Sequence, residues 1–323
     1  MPRIRISASF AEASLARQTP DSSGHWEEFE FLFAPTDEPV DAWVVIDNLR
    51  EPLEQNCPPE NTLLLTYEPS SIRLYRSRFT SQFSQVWTAQ SGIKHRRLTV
   101  RNEAQPWLYA QAPSQAHGAA LNYNDLAALP CPAKPELLSV ICSDKQLTPD
   151  QRQRVRFTQF LQAELGDAIE VYGRGRRAVE DKADAIWPYQ YHIVLENDHS
   201  QHYMSEKLTD AFLGWSYPIY SGGIEANYCY PEGSFTAIDI YQPEQALGII
   251  RDCLQTRTYQ NSLANIAAAR QSVLGKNNLF AMLASYWREH LVSRPARRTR
   301  LLPKAHRASL VMQQLVRALR QAA

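Results

Sequence analysis

No Cys-x-x-Cys pair occurs in this chain, and its five cysteines are an odd number without paired spacing. That pattern excludes a disulfide framework or a cysteine metal knuckle as the organising device and points to free thiols in a reducing compartment. There is no net charge either: 34 Lys and Arg balance 34 Asp and Glu. A nucleic-acid binder needs a basic surplus to neutralise phosphates, so no nucleic-acid partner is expected. No apolar run approaches the roughly 20 residues of a membrane span. The opening Met-Pro-Arg-Ile-Arg-Ile-Ser reads as a strand rather than a signal peptide, so the expected location is the cytoplasm. Also absent are Gly-x-Ser-x-Gly, Gly-x-x-x-x-Gly-Lys-[Ser/Thr] and any Asp-x-Asp. Serine hydrolase and P-loop readings lose support, and so does a carboxylate pair holding a divalent ion beside a diphosphate. Acidic residues disappear altogether after Glu289, while eight Lys and Arg follow.

What the chain does contain is alternation. Short apolar runs of strand length recur at Ala42–Leu49, Thr62–Tyr67 and Gln85–Ala89, and again at Leu137–Cys142, Ile169–Tyr172, Tyr191–Leu195, Pro218–Tyr220 and Phe235–Ile240. Helical patterns fall between several of them. Pro149–Leu165 is one, with Thr148 as its N-cap and Gly166 at its end, and Ser205–Gly214 is another. Helices dominate from Glu244 onward. Strands alternating with helices in both halves predict parallel sheets covered on both faces. Residues 102–135 carry five prolines and little periodicity, which predicts a linker. At 323 residues, two domains are the natural division: 1–130, 131–290, and a basic tail over 291–323.

The chemistry concentrates in Tyr189–Gly223. A buried strand ends at Leu195, which puts Glu196 and Asn197 at its carboxyl end, where open parallel sheets bind ligands. A polar loop follows and ends in Ser205-Glu206-Lys207, the start of the next helix. Ser205 can cap that helix, and its N-terminus together with Lys207 suits an anion such as a diphosphate. Glu206, which only accepts hydrogen bonds when ionised, could hold two ribose hydroxyls. The same residues would also serve as an ordinary solvated helix start.

Taken together, these residues resemble the signature of the family-10 glycosyltransferases, the α-1,3/4-fucosyltransferases, in their bacterial form. Glu196-Asn197 match the family's Glu-Asn pair. Tyr203-Met204-Ser205-Glu206-Lys207 match its Tyr-x-Thr-Glu-Lys element, and Ala211, Pro218-Ile219 and Gly222 fall in place. Tyr230-Pro231-Glu232-Gly233-Ser234-Phe235 resembles the Pro-x-x-Ser-Phe step. Ser143, Arg154, Leu161 and Tyr172-Gly173 resemble the upstream series. The likeness spans about residues 136–245. Gln190, Tyr191, Leu195, Asp198 and Ser205 depart from the pattern, and they bear on the donor's sugar and base.

The resemblance implies an α/β fold of the GT-B type: two Rossmann-like domains facing a cleft, with C-terminal helices. It implies that Arg154 and Lys207 neutralise a diphosphate, that Glu206 holds the ribose, and that Asn197 and Tyr203 line the donor pocket. Arg152 and Arg156 neighbour Arg154 on the helix, so which arginine faces the cleft stays open. The implied reaction is inverting transfer of fucose from GDP-fucose to a hydroxyl of a surface glycan, a lipopolysaccharide or polysaccharide intermediate. Two alternatives remain: the same architecture with another nucleotide sugar, or a non-catalytic glycan- or nucleotide-binding domain. The family's base is a Glu after a strand of the first domain. Glu68, which follows Thr62–Tyr67, fits that place, and Asp47 is held in reserve. No cofactor or metal is expected.

Other signals carry less. Gly173-Arg174-Gly175-Arg176-Arg177-Ala178 fits a dinucleotide fingerprint, yet three arginines crowd a loop whose backbone must approach a pyrophosphate, so a strand-to-helix turn is the better reading. His192, His199 and His202 lack a cysteine pair at ligand spacing. Ala305–Arg320 reads as a basic amphipathic helix. It could bring residues 294–323 into peripheral contact with an anionic inner membrane, or pack on the body or on another subunit.

Overall fold

A computed structural model describes residues 1–304. The first sheet gathers β1 (Arg3–Ala8), β2 (His25–Trp26), β3 (Phe29–Leu32), β4 (Ala42–Ile46), β6 (Thr62–Thr66), β7 (Gln85–Thr88) and β8 (Leu98–Val100) in the order β2-β3-β1-β4-β6-β7-β8. Every pairing is parallel except that of β2 with β3. β5 (Leu53–Cys57) lies outside this sheet. The central strands read AWVVI and TLLLT and are buried along their whole length. Continuous apolar strands are what a parallel sheet covered on both faces requires.

The second sheet contains β9 (Glu136–Ile141), β10 (Glu170–Tyr172), β11 (Tyr189–Leu195), β12 (Tyr217–Ser221) and β13 (Thr236–Ala237), all parallel, in the order β10-β9-β11-β12-β13. The chain steps from β9 outward to β10, then returns to the other side of β9 as β11. The sheet order therefore reverses between β9 and β11, and a ligand crevice opens beyond the carboxyl ends of strands at such a point. The helices are α1 (Ser77–Thr80), α2 (Tyr123–Ala128), α3 (Pro149–Leu165), α4 (Ala183–Ile186), α5 (Glu206–Leu213), α6 (Ala226–Cys229), α7 (Pro243–Gln255), α8 (Thr258–Asn261), α9 (Leu263–Leu274) and α10 (Leu279–His290). α3 begins and ends as its sequence signals predict: the Thr148 hydroxyl accepts from the Gln151 N–H, and Gly166 closes it at φ +53°.

Three segments differ from the expectations. Phe235–Ile240 contributes only the two-residue β13 as strand. The proline-rich stretch expected as a linker is folded: Trp107, Tyr109, Ala110 and Leu126 are buried in one cluster with Leu208, Phe212 and Val273. Arg17 ties it down by donating to the carbonyls of Trp107, Tyr109, Ala110 and Leu121. Prolines removed the periodicity, but large aromatic side chains supplied the burial.

The third is the basic tail. Residues Arg297–Leu301 form β14, which pairs antiparallel with β5. Its arginines are answered by acids across the ribbon, Arg297 with Glu60 at 3.5 Å and Arg298 and Arg300 with Glu54. The amphipathic helix expected over 305–320 lies outside the described residues. α10 crosses back to the first domain, where Leu279, Phe280, Leu283 and Trp287 pack with Ile4, Phe31, Leu65 and Trp87. Each such buried side chain contributes roughly 1.5–3 kcal/mol.

Candidate active site

Beyond the carboxyl ends of β9 and β11 lies a cleft of about 280 Å³. Its second-domain wall includes Ser143, Arg154, Lys182, Asn197, Glu206 and Lys207, and its first-domain wall includes Glu68 and Ile72. Five of the six residues singled out from the sequence, Glu68, Arg154, Asn197, Glu206 and Lys207, are thus brought to one cavity. Tyr203 is not part of the lining. It immediately precedes the Met204-Ser205 turn into α5, and its side chain is turned into the packing at 3% exposure.

The ambiguity among three arginines is resolved by helix phase. Arg152 and Arg156 are exposed, while Arg154 is buried and faces the cleft. Its guanidinium donates to the Asn197 carboxamide oxygen, and a second nitrogen lies 3.9 Å from the Cys142 sulfur. Its Nε has no partner, and no carboxylate among the described residues pairs with it. A buried cation without a counter-ion is costly unless an anion arrives to pair with it.

Around α5 the charges are shared out closely. Glu196 is fully buried and points away from the cleft. One of its oxygens accepts from the Ser205 N–H at 2.8 Å, the other from the Ser205 hydroxyl at 2.6 Å and, more distantly, from Lys207 Nζ at 3.4 Å. Ser205 caps the helix by accepting from the Lys207 N–H. Glu196 therefore fixes the cap, and through it the start of α5, rather than presenting a carboxylate to a ligand. Gly222 lies against it: a Cβ there would come within 2.6 Å of Glu196 Cγ and 2.3 Å of the Tyr220 hydroxyl.

Lys182 was not singled out from the sequence. It lies at the entry to the short helix α4, where no periodic or motif signal marks it. Its Nζ donates at 2.7 Å to both Glu206 and Asp210. Burial works against the charge on Lys182, but the two carboxylates outweigh it and hold the ammonium above its ordinary range. Burial likewise opposes the Glu206 charge, and Lys182 and Lys207 overcome it, keeping Glu206 ionised well below the usual carboxylate range. Asp210 is raised, first by burial, as it shares Lys182 with Glu206. It also accepts from the N–H groups of Leu108 and Tyr109, which fastens the proline-rich segment to α5. Lys182 binds Oε1 of Glu206, and no side chain among the described residues is hydrogen-bonded to Oε2.

On the opposite wall Glu68 stands two residues past the end of β6. Its backbone is anchored, the N–H donating to the Tyr75 hydroxyl and the carbonyl accepting from Gln90, while no side chain among the described residues engages its carboxylate. Burial raises its proton affinity above the ordinary value; Arg73 and Lys207 oppose this, and Asp47 and Glu206 add to it. Asp47, the reserve candidate, is committed elsewhere, accepting from Arg73 and from the Tyr75 hydroxyl. The Ser71 hydroxyl donates to Asp198 at 2.6 Å, linking the two walls near the mouth.

The three loop histidines go to separate partners. His192 is buried at the cleft floor against the Ser139 hydroxyl, and burial lowers it to about 3, so it is neutral. His199 meets Ser221 and Asp150, and His202 meets Glu225. The glycine-arginine loop after β10 is not part of the cleft lining. Gly173 adopts φ +131°, and a Cβ there would strike the Cys142 carbonyl at 2.5 Å, which accounts for the glycine by backbone packing alone.

Two largely parallel α/β sheets facing a cleft, with cations on one wall and Glu68 on the other, have the GT-B architecture. Residues 131–258 match the model of glycosyltransferase family 10 (fucosyltransferase), C-terminal. Among solved structures, an α1,3-fucosyltransferase with GDP shares the fold at TM-score 0.53 and 17% identity, over 91% of this chain and 92% of its own. A second α1,3-fucosyltransferase structure superposes at TM-score 0.52 and 15% identity, over 92% and 90%. No curated protein sequence matches the chain.

Proposed function

We propose that this enzyme transfers fucose from GDP-fucose to a hydroxyl of a surface glycan, a lipopolysaccharide or polysaccharide intermediate, with inversion at the anomeric carbon. The observation that carries the reading is the buried Arg154 guanidinium, which has no carboxylate partner among the described residues and shares a cleft with Lys207 and the unpaired Glu68. The GDP-bound α1,3-fucosyltransferase supports the choice of nucleotide.

In the proposed step the acceptor oxygen gives its proton to Glu68 and bonds to the anomeric carbon as the bond to the diphosphate oxygen breaks. A raised carboxyl pKa improves the base at neutral pH. The departing diphosphate gains negative charge, which Arg154 meets with a planar fork and Lys207 with a point charge. Asn197 orients the Arg154 fork, and Oε2 of Glu206 accepts from the ribose. Because two side-chain cations serve the diphosphate, transfer is expected to survive chelation of divalent ions by EDTA.

Calorimetry with GDP-fucose, GDP-mannose, UDP-sugars and CMP-sugars on the wild type and Lys207→Ala tests the donor. Preference for a UDP- or CMP-sugar would replace GDP-fucose as donor. GDP binding without transfer, indifferent to Glu68→Gln, would make the cleft a binding site only. The basic pattern over 305–320 supports peripheral contact with an anionic inner membrane. Arg297, Arg298 and Arg300 already face acids on the first domain, so the charge for that contact falls to residues 304–320. Vesicles containing anionic lipid should retain the full chain and release a variant truncated after Lys304.

A further inference from the structure

A second cavity, of about 340 Å³, lies between Trp87 of β7, Arg101 just past the end of β8, and α10. Trp87 forms its floor, and Arg101, Lys276, Ser285, Tyr286 and Glu289 are among its walls. The Arg101 guanidinium lies over the Trp87 ring at 5.1 Å from its centroid, and its Nε donates to the Asn102 carbonyl at 3.1 Å. A planar cation stacked this way keeps its two terminal nitrogens free to donate. Tyr286 is stacked on His290 at 4.4 Å and 13°, which presents a rigid aromatic wall.

The charge around this cavity is one-sided. The segment ending at Arg101 also carries Lys94, Arg96 and Arg97. None of these four, nor Lys276, forms an ion pair among the described residues. Arg97 acts on Tyr286, opposing the rise that burial gives its hydroxyl, so its charge reaches this wall too. Glu289 is exposed and is the one acid in the lining. Elsewhere the same protein pairs its arginines closely, as Arg288 does with Glu27 and Glu28. Cations gathered without partners around an aromatic-floored pocket suit an anion that also offers an apolar face.

The cavity's position relates it to the cleft. β6 and β8 run parallel, so Arg101 emerges at the same sheet edge as Glu68. The next residue, Asn102, crosses to the second domain, donating to the Met204 carbonyl at 2.7 Å.

We propose that this cavity is a subsite for an acidic sugar of the acceptor glycan, a saccharide unit carrying a carboxylate or a phosphate. Arg101 and Lys276 bind the anionic group, Ser285 bonds a ring hydroxyl, and Tyr286 packs on the sugar's C–H face. The proposal rests on the glycan-acceptor reading above, but its test does not depend on transfer. Glucuronic acid, glucose 6-phosphate, glucose and inorganic phosphate are titrated into the full-length protein by calorimetry or ligand-observed NMR, with GDP as a separate titration.

Both acidic sugars should bind, and Arg101→Gln and Lys276→Gln should each weaken them about ten-fold. Glu289→Gln should tighten them, and GDP affinity should not change in any variant. Glucose binding as well as glucuronic acid would overturn the anionic part of the proposal. Inorganic phosphate matching glucose 6-phosphate would overturn the saccharide part. Unaltered affinity for the acidic sugars in both cation variants, with GDP binding intact, would overturn the site. Loss of GDP binding in the wild type would instead undo the donor reading.

Discussion

The two walls of the cleft are built on opposite electrostatic plans. On the second domain the charged groups are held by neighbouring side chains: Lys182 lies between Glu206 and Asp210, Lys207 beside Glu196 and Ser205, and Arg154, without a counter-ion among the described residues, against the Asn197 carboxamide. On the first domain Asp47 is tied to Arg73 and Tyr75, while the Glu68 side chain is left alone. A network fixes positions and favours one charge state. An isolated, half-buried carboxylate keeps its protonation adjustable. The first arrangement suits holding a constant anion, and the second suits exchanging a proton.

Removing the adjustable group should have the largest effect. Glu68→Gln is expected to lower transfer about 10²–10⁴-fold while nucleotide affinity stays put, as single-turnover rates and calorimetry would report. The wild-type rate should rise with pH through a Glu68 pKa set above the ordinary Glu value, chiefly by burial, and the variant should lose that limb. A variant that binds nucleotide less well but transfers normally would reverse the assignment of the two walls. Next in size is Arg154→Gln, expected to cost about 10²–10³-fold in kcat and to weaken GDP, with Arg154→Lys recovering only part because the fork is lost.

Lys182→Met probes the network itself. It leaves Glu206 and Asp210 facing each other without their shared cation, a change expected to cost about 3 kcal/mol of stability at pH 7. Denaturant midpoints should show that loss, and it should shrink on acidification as Asp210, already raised by burial, takes up a proton.

The last prediction concerns a carboxyl outside both plans. Glu103 is buried, accepts from the Ala89 N–H at 2.7 Å and lies 3.3 Å from the Thr66 hydroxyl, and burial raises it to about 8. A raised pKa means the folded state holds the proton more tightly. This group's contribution is complete below the usual Glu value near 4.5 and is lost as pH rises toward 8. Over that window it should reduce stability by at most about 1.4 kcal/mol per pH unit, and Glu103→Gln should flatten the dependence.

The sequence was uneven in what it disclosed. Glu196, Asn197, Glu206 and Lys207 were legible because strand end, loop and helix cap constrain one short segment together, and the matched family stretch covers that half. Arg154 could be narrowed to three arginines but not chosen, since helix phase relative to a cleft is a tertiary fact. Lys182 was invisible: a lysine two residues after Glu180, at the start of a four-residue helix, looks like solvated surface until its partners on α5 are seen. Tyr203 belongs to the motif by position, and its ring is buried and outside the cleft lining. The burial of the proline-rich stretch and the pairing of Arg297–Leu301 with β5 were not foreseen, because apolar anchors and cross-strand ion pairs act at a distance that local pattern does not report.

The return of α10 to the first domain has a consequence for how the chain is made. Strands β1, β3, β4, β6 and β7 emerge from the ribosome early, but Phe280, Leu283 and Trp287, which cover one of their faces, come last among the large core side chains of that layer. At roughly 5–20 residues per second, the delay between strands and cover is on the order of ten seconds or more. During that interval the nascent sheet exposes an apolar face that only the far end of its own chain can close.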